Sequence, residues 1–462
     1  MDGSQSAATR KAYREMLLSL KKLHQVKLSY AGLEEKLFFA KKLMGAGELP
    51  PDLIKFSLFD TEKCGQDYGV SRNALFMHTV GDLFLSVDDD TVCSIAPSPE
   101  LNSGLAFARG QDPGEIRVFP DRKSAKDAVE VGENDFLAIH EAVLGKDVST
   151  LTRCFMKGPD SSEDADRQIA NIPESDNPRV LITYNGWTGD CAWGSPIPYL
   201  ILTGKSFEHL TRSEPDYRSA CTSREILRYV DRVTLTDAMA FMMTIFAGFD
   251  NRDLLPPFLP VKRGEDTVFG VTFSMCFEHA YAAHLPWVLH HSPVENRRFW
   301  LGEIFRSSSG IDFSTLILAC IKSVEFGPAD DTEVRRLKKL GKRLEQVAST
   351  SIQDFEEFAH AQILRELSTF TDGLEGRLKE LNNAPKYWAD DVERYIDTLR
   401  ESLSDKQSFV PLDLLYGRTI SEARELTRRL VCKFGQLIHW WPEIMEASRS
   451  LRSQGHRLAS RL

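Results

Sequence analysis

The sequence lacks most of the features that identify a protein at sight. None of its 8 cysteines, at 64, 93, 154, 191, 221, 276, 320 and 432, stands in a Cys-x-x-Cys pair. That excludes zinc-ribbon and thioredoxin-like sites. Their scatter suits reduced thiols used as small apolar residues in a cytoplasmic protein. No apolar run reaches the ~20 residues needed to span a bilayer; the longest, Ala238 to Phe249, is broken by Thr244. Met1 to Ala8 are polar, with no apolar signal-peptide core. There is no basic excess: 57 Lys and Arg stand against 67 Asp and Glu, a net charge of -10, which argues against a nucleic-acid partner. Gly204-Lys205-Ser206 would end a phosphate-binding P-loop only with Gly at position 199, where Tyr199 stands. His140-Glu141 lacks the second His of a zinc-protease helix, and no Gly-x-Ser-x-Gly elbow occurs. No period of 20–50 residues repeats, which excludes a solenoid.

What is present is an ordinary globular composition. The 462 residues are 42% hydrophobic and 27% charged, enough for two or three domains with sizeable cores. Tyr13, Met16, Leu17, Leu20 and Leu23 predict a helix over 8–24. Val26, Leu28 and Tyr30 predict a short strand, 33–44 a second helix, and Ile54, Phe56 and Leu58 another strand. A helix from Gly69 and a strand from Leu83 to Val87 follow. This alternation predicts an α/β layer with a largely parallel sheet. Residues 94–135 read as irregular connection with short strands, and 158–178 as an acidic surface loop. Arg179 to Tyr184, Tyr199 to Thr203, Val268 to Phe273 and Leu285 to His290 are strand candidates; Thr234 to Phe246 is a helix candidate. After residue 312 the pattern becomes helical, as in Val334, Leu337, Leu340, Leu344 and Val347. Phe409 to Leu415 is a short ambiguous segment. The expected organisation is an α/β domain over 1–312 and an all-α domain or bundle over 313–462, a surface for a protein partner or oligomer.

The stretch 69–91 carries the strongest chemical signal. Its apolar strand stops at Asp88, Asp89 and Asp90. Three adjacent carboxylates repel and raise one another's pKa unless something neutralises them. A divalent cation with a phosphate ligand does so, because hard cations prefer carboxylate oxygen.

This stretch resembles the donor-binding region of GT-A fold, family-2-like glycosyltransferases: a Gly, an Arg-Asn pair, an amphipathic helix, Gly-Asp, an apolar strand and Asp-x-Asp. Here these are Gly69, Arg72-Asn73, Gly81-Asp82, Leu83 to Val87 and Asp88-Asp89-Asp90. A second block, Gly248-Phe249-Asp250 followed by Glu265-Asp266, is similar to that family's Gly-Phe-Asp and Glu-Asp elements. The resemblance covers about residues 8–300 and implies a Rossmann-like, nucleotide-diphospho-sugar transferase domain. It implies that Arg72, Asn73, Asp88, Asp89 and Asp90 hold the nucleotide-sugar donor, with Asp88 toward the nucleoside and Asp90 on Mn²⁺ or Mg²⁺. It implies that Asp266, or alternatively Glu265, deprotonates an unknown acceptor, which inverts the anomeric carbon. Many metal-dependent members place a metal-binding His at the end of a later strand, here Leu285-Pro-Trp-Val-Leu-His-His. Neighbouring strand residues face opposite ways, so one of His290 and His291 reaches the site; His291, before the turn at Pro293, is favoured. Arg297 and Arg298 are diphosphate contacts or surface arginines. Trp187, Trp193 and Asp190 line an acceptor groove or pack as ordinary turn residues. Met1 to Ala7 show no strand pattern where the family's first strand would contribute a carboxylate to the base. That departure supports an alternative, a degenerate, non-catalytic transferase domain joined to a helical interaction domain. A phosphohydrolase or nucleotidyltransferase using the same Asp cluster is a third reading.

Overall fold

The structure is a computed structural model that describes residues 1–4, 6–155, 178–239, 242–306, 311–381, 383–404 and 410–462. The principal helices are α1 (Ala7–His24), α2 (Leu33–Gly45), α3 (Pro51–Leu58), α4 (Tyr68–Thr79), α5 (Glu265–Cys276), α6 (Phe313–Lys322), α7 (Glu333–Ala348), α8 (Ile352–Glu380), α9 (Lys386–Ser404) and α10 (Ile420–Ser453). The strands are β1 (Ser29–Tyr30), β2 (Leu83–Val87), β3 (Thr91–Pro97), β4 (Leu105–Ala108), β5 (Glu115–Phe119), β6 (Arg179–Asp190), β7 (Glu225–Tyr229), β8 (Val233–Thr236), β9 (Phe246–Asp250), β10 (Ala280–His291) and β11 (Ser460–Arg461). This is an α/β arrangement with a helical C-terminal region.

The sheet is mixed rather than largely parallel. Its nine strands run β2-β9-β6-β10-β8-β4, with β3 on β10 and with β7 joining β5 to β6. Only β6 with β10 and β4 with β8 are parallel. The expectation failed because two of the strands it counted are not in this sheet. The segment with Ile54, Phe56 and Leu58 is α3, started by Pro51 at its first position. Helix α3 buries five of its eight residues, and a helix buried on most sides gives no reliable period. The Val26–Tyr30 segment contributes only β1, which pairs antiparallel with the chain's last strand, β11.

Three further assignments reverse for related reasons. Tyr199 to Thr203 begins as a short helix, Pro198–Ile201, again opened by proline. Thr234 to Phe246 is not a helix: β8 pairs with both β10 and β4, its four residues all buried, as suits a β-branched central strand. Val268 to Phe273 lies inside α5, where all six residues are buried. Gly264, at φ 88°, turns the chain into this helix, a conformation open to glycine. Leu412–Leu414 forms one 3-10 turn, while residue 409 lies outside the described residues, as does 158–177 of the acidic stretch.

The core does not divide at residue 312. One cluster of buried side chains includes Phe39, Phe76, Phe249 and Phe269 together with Leu337, Leu430, Phe434 and Trp441. Phe76 meets the rings of Phe84, Phe249, Phe258 and Phe269 at 5.3–5.9 Å, contacts of about 0.5–1.5 kcal/mol each beyond their burial. Trp441 of α10 donates to Leu255 O at 2.7 Å. Residue 312 therefore marks a change in secondary structure, and packing crosses it. Helix α10 is opened by a capping box in which Thr419 and Glu422 bond reciprocally. Helices α7 and α10 cross at Gly341 and Gly435, so closely that a Cβ on Gly341 would lie 2.4 Å from Gly435 O.

A candidate active site at the carboxyl end of the sheet

Strand β2 pairs with β9, and β3 pairs with β10. The turn between β2 and β3, Asp88 to Asp90, must therefore cross the sheet's end. Asp88 N donates to Ile245 O at 3.0 Å, just before β9. Ser292 N, just after β10, donates to Asp90 O at 2.8 Å. Asp88 O accepts from Thr91 N at 3.2 Å and closes the turn. Successive aspartates consequently diverge. Asp88 points to one pair of elements, Asp90 to another, and Asp89 is exposed.

Asp88 meets α4. Arg72 Nη2 lies 2.9 Å from Asp88 Oδ1, and Arg72 Nη1 donates to Ser86 Oγ at 3.1 Å. Arg72 Nε lies 3.7 Å from Asp266 Oδ1 at the start of α5. Burial disfavours the Arg72 cation, but Asp88, Asp266 and Glu265 outweigh it and hold the guanidinium charged. Burial pushes the Asp88 carboxyl up, and Arg72 only partly offsets this because Asp266 and Asp90 add negative charge. Asp266 does not cap its helix; Gly264 is the N-cap residue. Its carboxylate instead accepts from Thr244 N at 2.9 Å and Thr244 Oγ1 at 2.6 Å. Glu265 is buried, and burial with the neighbouring Asp266 charge pushes its carboxyl up to about 7, beyond what Arg72 offsets.

Asp90 meets β10. Its Oδ2 lies 3.1 Å from His291 Nε2, and His291 Nδ1 faces Asp190 O at 2.5 Å. Burial works against a charged imidazole, but these two acceptors together raise the His291 pKa. The hydrogen bond from His291 holds the Asp90 carboxyl low. His290 does not share this environment: it lines a separate cavity with Val92, Lys126 and Thr188, and burial pushes its pKa down.

Asp90 Oδ2 and His291 Nε2 are ion-paired, at a spacing that would also let both bind one divalent cation. Two ligands bonded at about 2.1 Å in adjacent octahedral positions stand about 3 Å apart, as these two atoms do. Among the described residues no group of three or more His, Cys, Asp or Glu converges as a metal site. Two protein ligands suffice for Mg²⁺-like ions that take their remaining oxygens from phosphate and water.

Other candidates lie elsewhere. Asn73 is fully buried and exchanges both amide bonds with the Phe258 backbone, at 2.8 and 3.0 Å; it anchors α4. Asp250 sits at the far end of β9, opposite Leu83, paired with Arg252. Asp190 is fully buried between the forks of Arg224 and Arg297. Arg297 is therefore committed to Asp190, and Arg298 donates to Pro120 O. Trp187 lies buried under Arg228, and Trp193 is buried against Tyr199, so neither offers a stacking face. Thr244 and Ser86, which orient Asp266 and Arg72, were missed. The one signal for Thr244 was its place as the polar break in the longest apolar run.

No family model, no curated protein and no solved structure matches this chain.

Proposed function

We propose that the protein is a metal-dependent glycosyltransferase that moves a sugar from a nucleotide-sugar donor to an acceptor, with inversion. One observation supports this reading above the others. Residues from four distant stretches, Arg72, Asp88 with Asp90, Asp266 and His291, meet around one strand-end turn. Ligand sites in α/β sheets lie beyond the carboxyl ends of strands, where β2, β6 and β10 all end here.

In this reading Asp90 and His291 hold Mn²⁺ or Mg²⁺, which when bound offsets charge on the leaving diphosphate. Arg72 holds Asp88 from one side at 2.9 Å and offsets part of the burial that pushes its carboxyl up. Thr244 holds Asp266 from one side through two donors. A carboxylate has about four acceptor positions, so Asp266 keeps capacity to take the acceptor's hydroxyl proton as the oxygen attacks. Glu265 is the alternate base: it is buried, and burial with the Asp266 charge pushes its carboxyl up to about 7, the range that general-base catalysis favours.

The reading is tested by calorimetry with Mn²⁺ and a panel of nucleoside diphosphates. Binding is expected in the native protein and lost in Asp90→Ala; absence of binding, or binding unchanged by that substitution, overturns the donor site. Asp266→Asn is expected to retain donor binding and lose transfer. Full residual transfer removes Asp266 as the base.

A further inference from the structure

At the opposite end of β2 from the aspartate turn, the chain's last residues fold back over its first helices. Gly455, at φ 83°, closes α10: Gly455 N donates to Arg452 O and His456 N to Leu451 O, both at 2.9 Å. This reversal delivers His456 and Arg457 to a cavity of about 400 Å³. Helix α2 adds Lys42 and Phe38, the last turn of α4 adds His78, and β11 adds Arg461. No acidic residue lines the cavity.

The charge there is only partly compensated. Lys42 Nζ donates to His456 Nε2 at 3.4 Å, a contact that neutralises none of the lysine's charge. Among the described residues Arg457 has one carboxylate, Asp82 at 3.3 Å, which Arg452 also holds at 2.5 Å. Ala459 N donates to His78 Nδ1 at 3.2 Å, so neutral His78 carries its proton on Nε2 and is a donor there. Burial, and after it the Arg457 charge, push the His78 pKa down to about 4. Three lasting cations in one cavity stand out in a chain with net charge -10, and such a concavity concentrates anions.

We propose that this cavity binds a phosphate-bearing ligand, with Lys42, Arg457 and Arg461 sharing the phosphate charge and the imidazoles of His78 and His456 completing the contacts. Guanidinium forks and a lysine ammonium match phosphate oxygens. Phe38, 62% exposed at the rim, gives an apolar surface to whatever carries the phosphate. The cavity is separated from the aspartate turn by the length of β2, roughly 20 Å, and the inference stands independently of sugar transfer.

The test uses the full chain in a chelator at low ionic strength. Inorganic phosphate is titrated by calorimetry. In parallel the protein is sedimented with phosphatidylcholine vesicles, with and without phosphatidic acid. Saturable phosphate binding is expected, weakened roughly tenfold or more in the Lys42→Gln/Arg461→Gln variant, restored toward native by Lys42→Arg with Arg461 intact, and retained in Asp90→Ala. Sedimentation that needs phosphatidic acid identifies a lipid source; phosphate binding without sedimentation identifies a soluble one. No binding in either arm overturns the proposal. So does binding that survives the double variant but is lost in Asp90→Ala, because the phosphate then occupies the aspartate turn. A matched thermal midpoint confirms that the double variant is folded.

Discussion

His291 Nε2 lies 3.1 Å from Asp90 Oδ2, while the Asp190 carbonyl faces the other ring nitrogen at 2.5 Å. The backbone carbonyl orients the imidazole, and the carboxylate shares its other edge. Both nitrogens face acceptors, which favours the protonated ring and raises its pKa against the effect of burial.

Metal binding at this pair must displace the Nε2 proton. The folded His291 pKa is raised. Its ion pair therefore stabilises the fold fully below the unfolded value and is lost as pH rises through the folded one. Mn²⁺ affinity is expected to rise with pH through the raised His291 pKa, with proton release visible as a buffer-dependent calorimetric enthalpy. His291→Ala should weaken binding and abolish that release; unchanged release would remove His291 from the ligands.

Arg72 compensates three carboxylates at once. Arg72→Met is expected to destabilise the protein by about 2–4 kcal/mol near neutral pH, because Asp88, Asp266 and Glu265 are left facing one another. Denaturant titrations should show the loss shrinking as pH falls and carboxyls protonate. Arg72→Lys keeps the charge but loses the fork to Ser86 and Asp88, and an intermediate loss is expected.

Glu265 gives a second pH signature of opposite origin. Its folded pKa, about 7, exceeds the unfolded value, so the native state binds more protons in between. Stability from this group is present below the unfolded pKa and falls as pH rises through about 7. Glu265→Gln is expected to remove that slope and to be more stable than the native protein above neutrality, by about 1–3 kcal/mol. Parallel pH profiles for the two proteins would refute the assignment.

Gly341→Ala reverses an ordinary rule. In an exposed helix the change stabilises by about 1 kcal/mol. Here the new Cβ meets the Gly435 carbonyl at 2.4 Å and the His439 backbone N at 2.6 Å. Separating α7 from α10 is expected to lower stability by about 1–3 kcal/mol, measured by thermal unfolding. Gly376→Ala, where a Cβ meets nothing within 4 Å, serves as the control.

Periodicity located α1, α2, α4 and the C-terminal helices well; α2, α4, α7 and α10 each bury an apolar face, whereas in α1 Tyr13, Met16, Leu20 and Leu23 stay exposed and Arg10 alone is buried. It failed where burial is complete. Helix α5 and strand β8 are both unbroken apolar or β-branched runs, and only their neighbours decide which they become. Proline at the first helical position, in Pro51 and Pro198, was the available and unused signal. At the site, His291 meets Asp90 while His290 lines a separate cavity, the two neighbours facing opposite ways even though the register of β10 shifts between Val288 and His290. Asn73, Asp190 and the tryptophans looked functional by residue type, yet each side chain is consumed by packing, by backbone or by arginine.

By itself the sequence determined the local chemistry: three carboxylates after an apolar strand, a Glu-Asp pair opening a helix, and two histidines ending a strand. These follow from short-range pattern, which adjacent residues specify. Only the tertiary structure decided which of them meet. Because β2 pairs with β9 while β3 crosses to β10, the aspartate turn is drawn across the sheet's end, sending Asp88 to Arg72 and Asp90 to His291. A separate long-range pairing, β1 with β11, brought the chain's two ends together and gathered Lys42, Arg457 and Arg461 around one cavity, which no local pattern encodes.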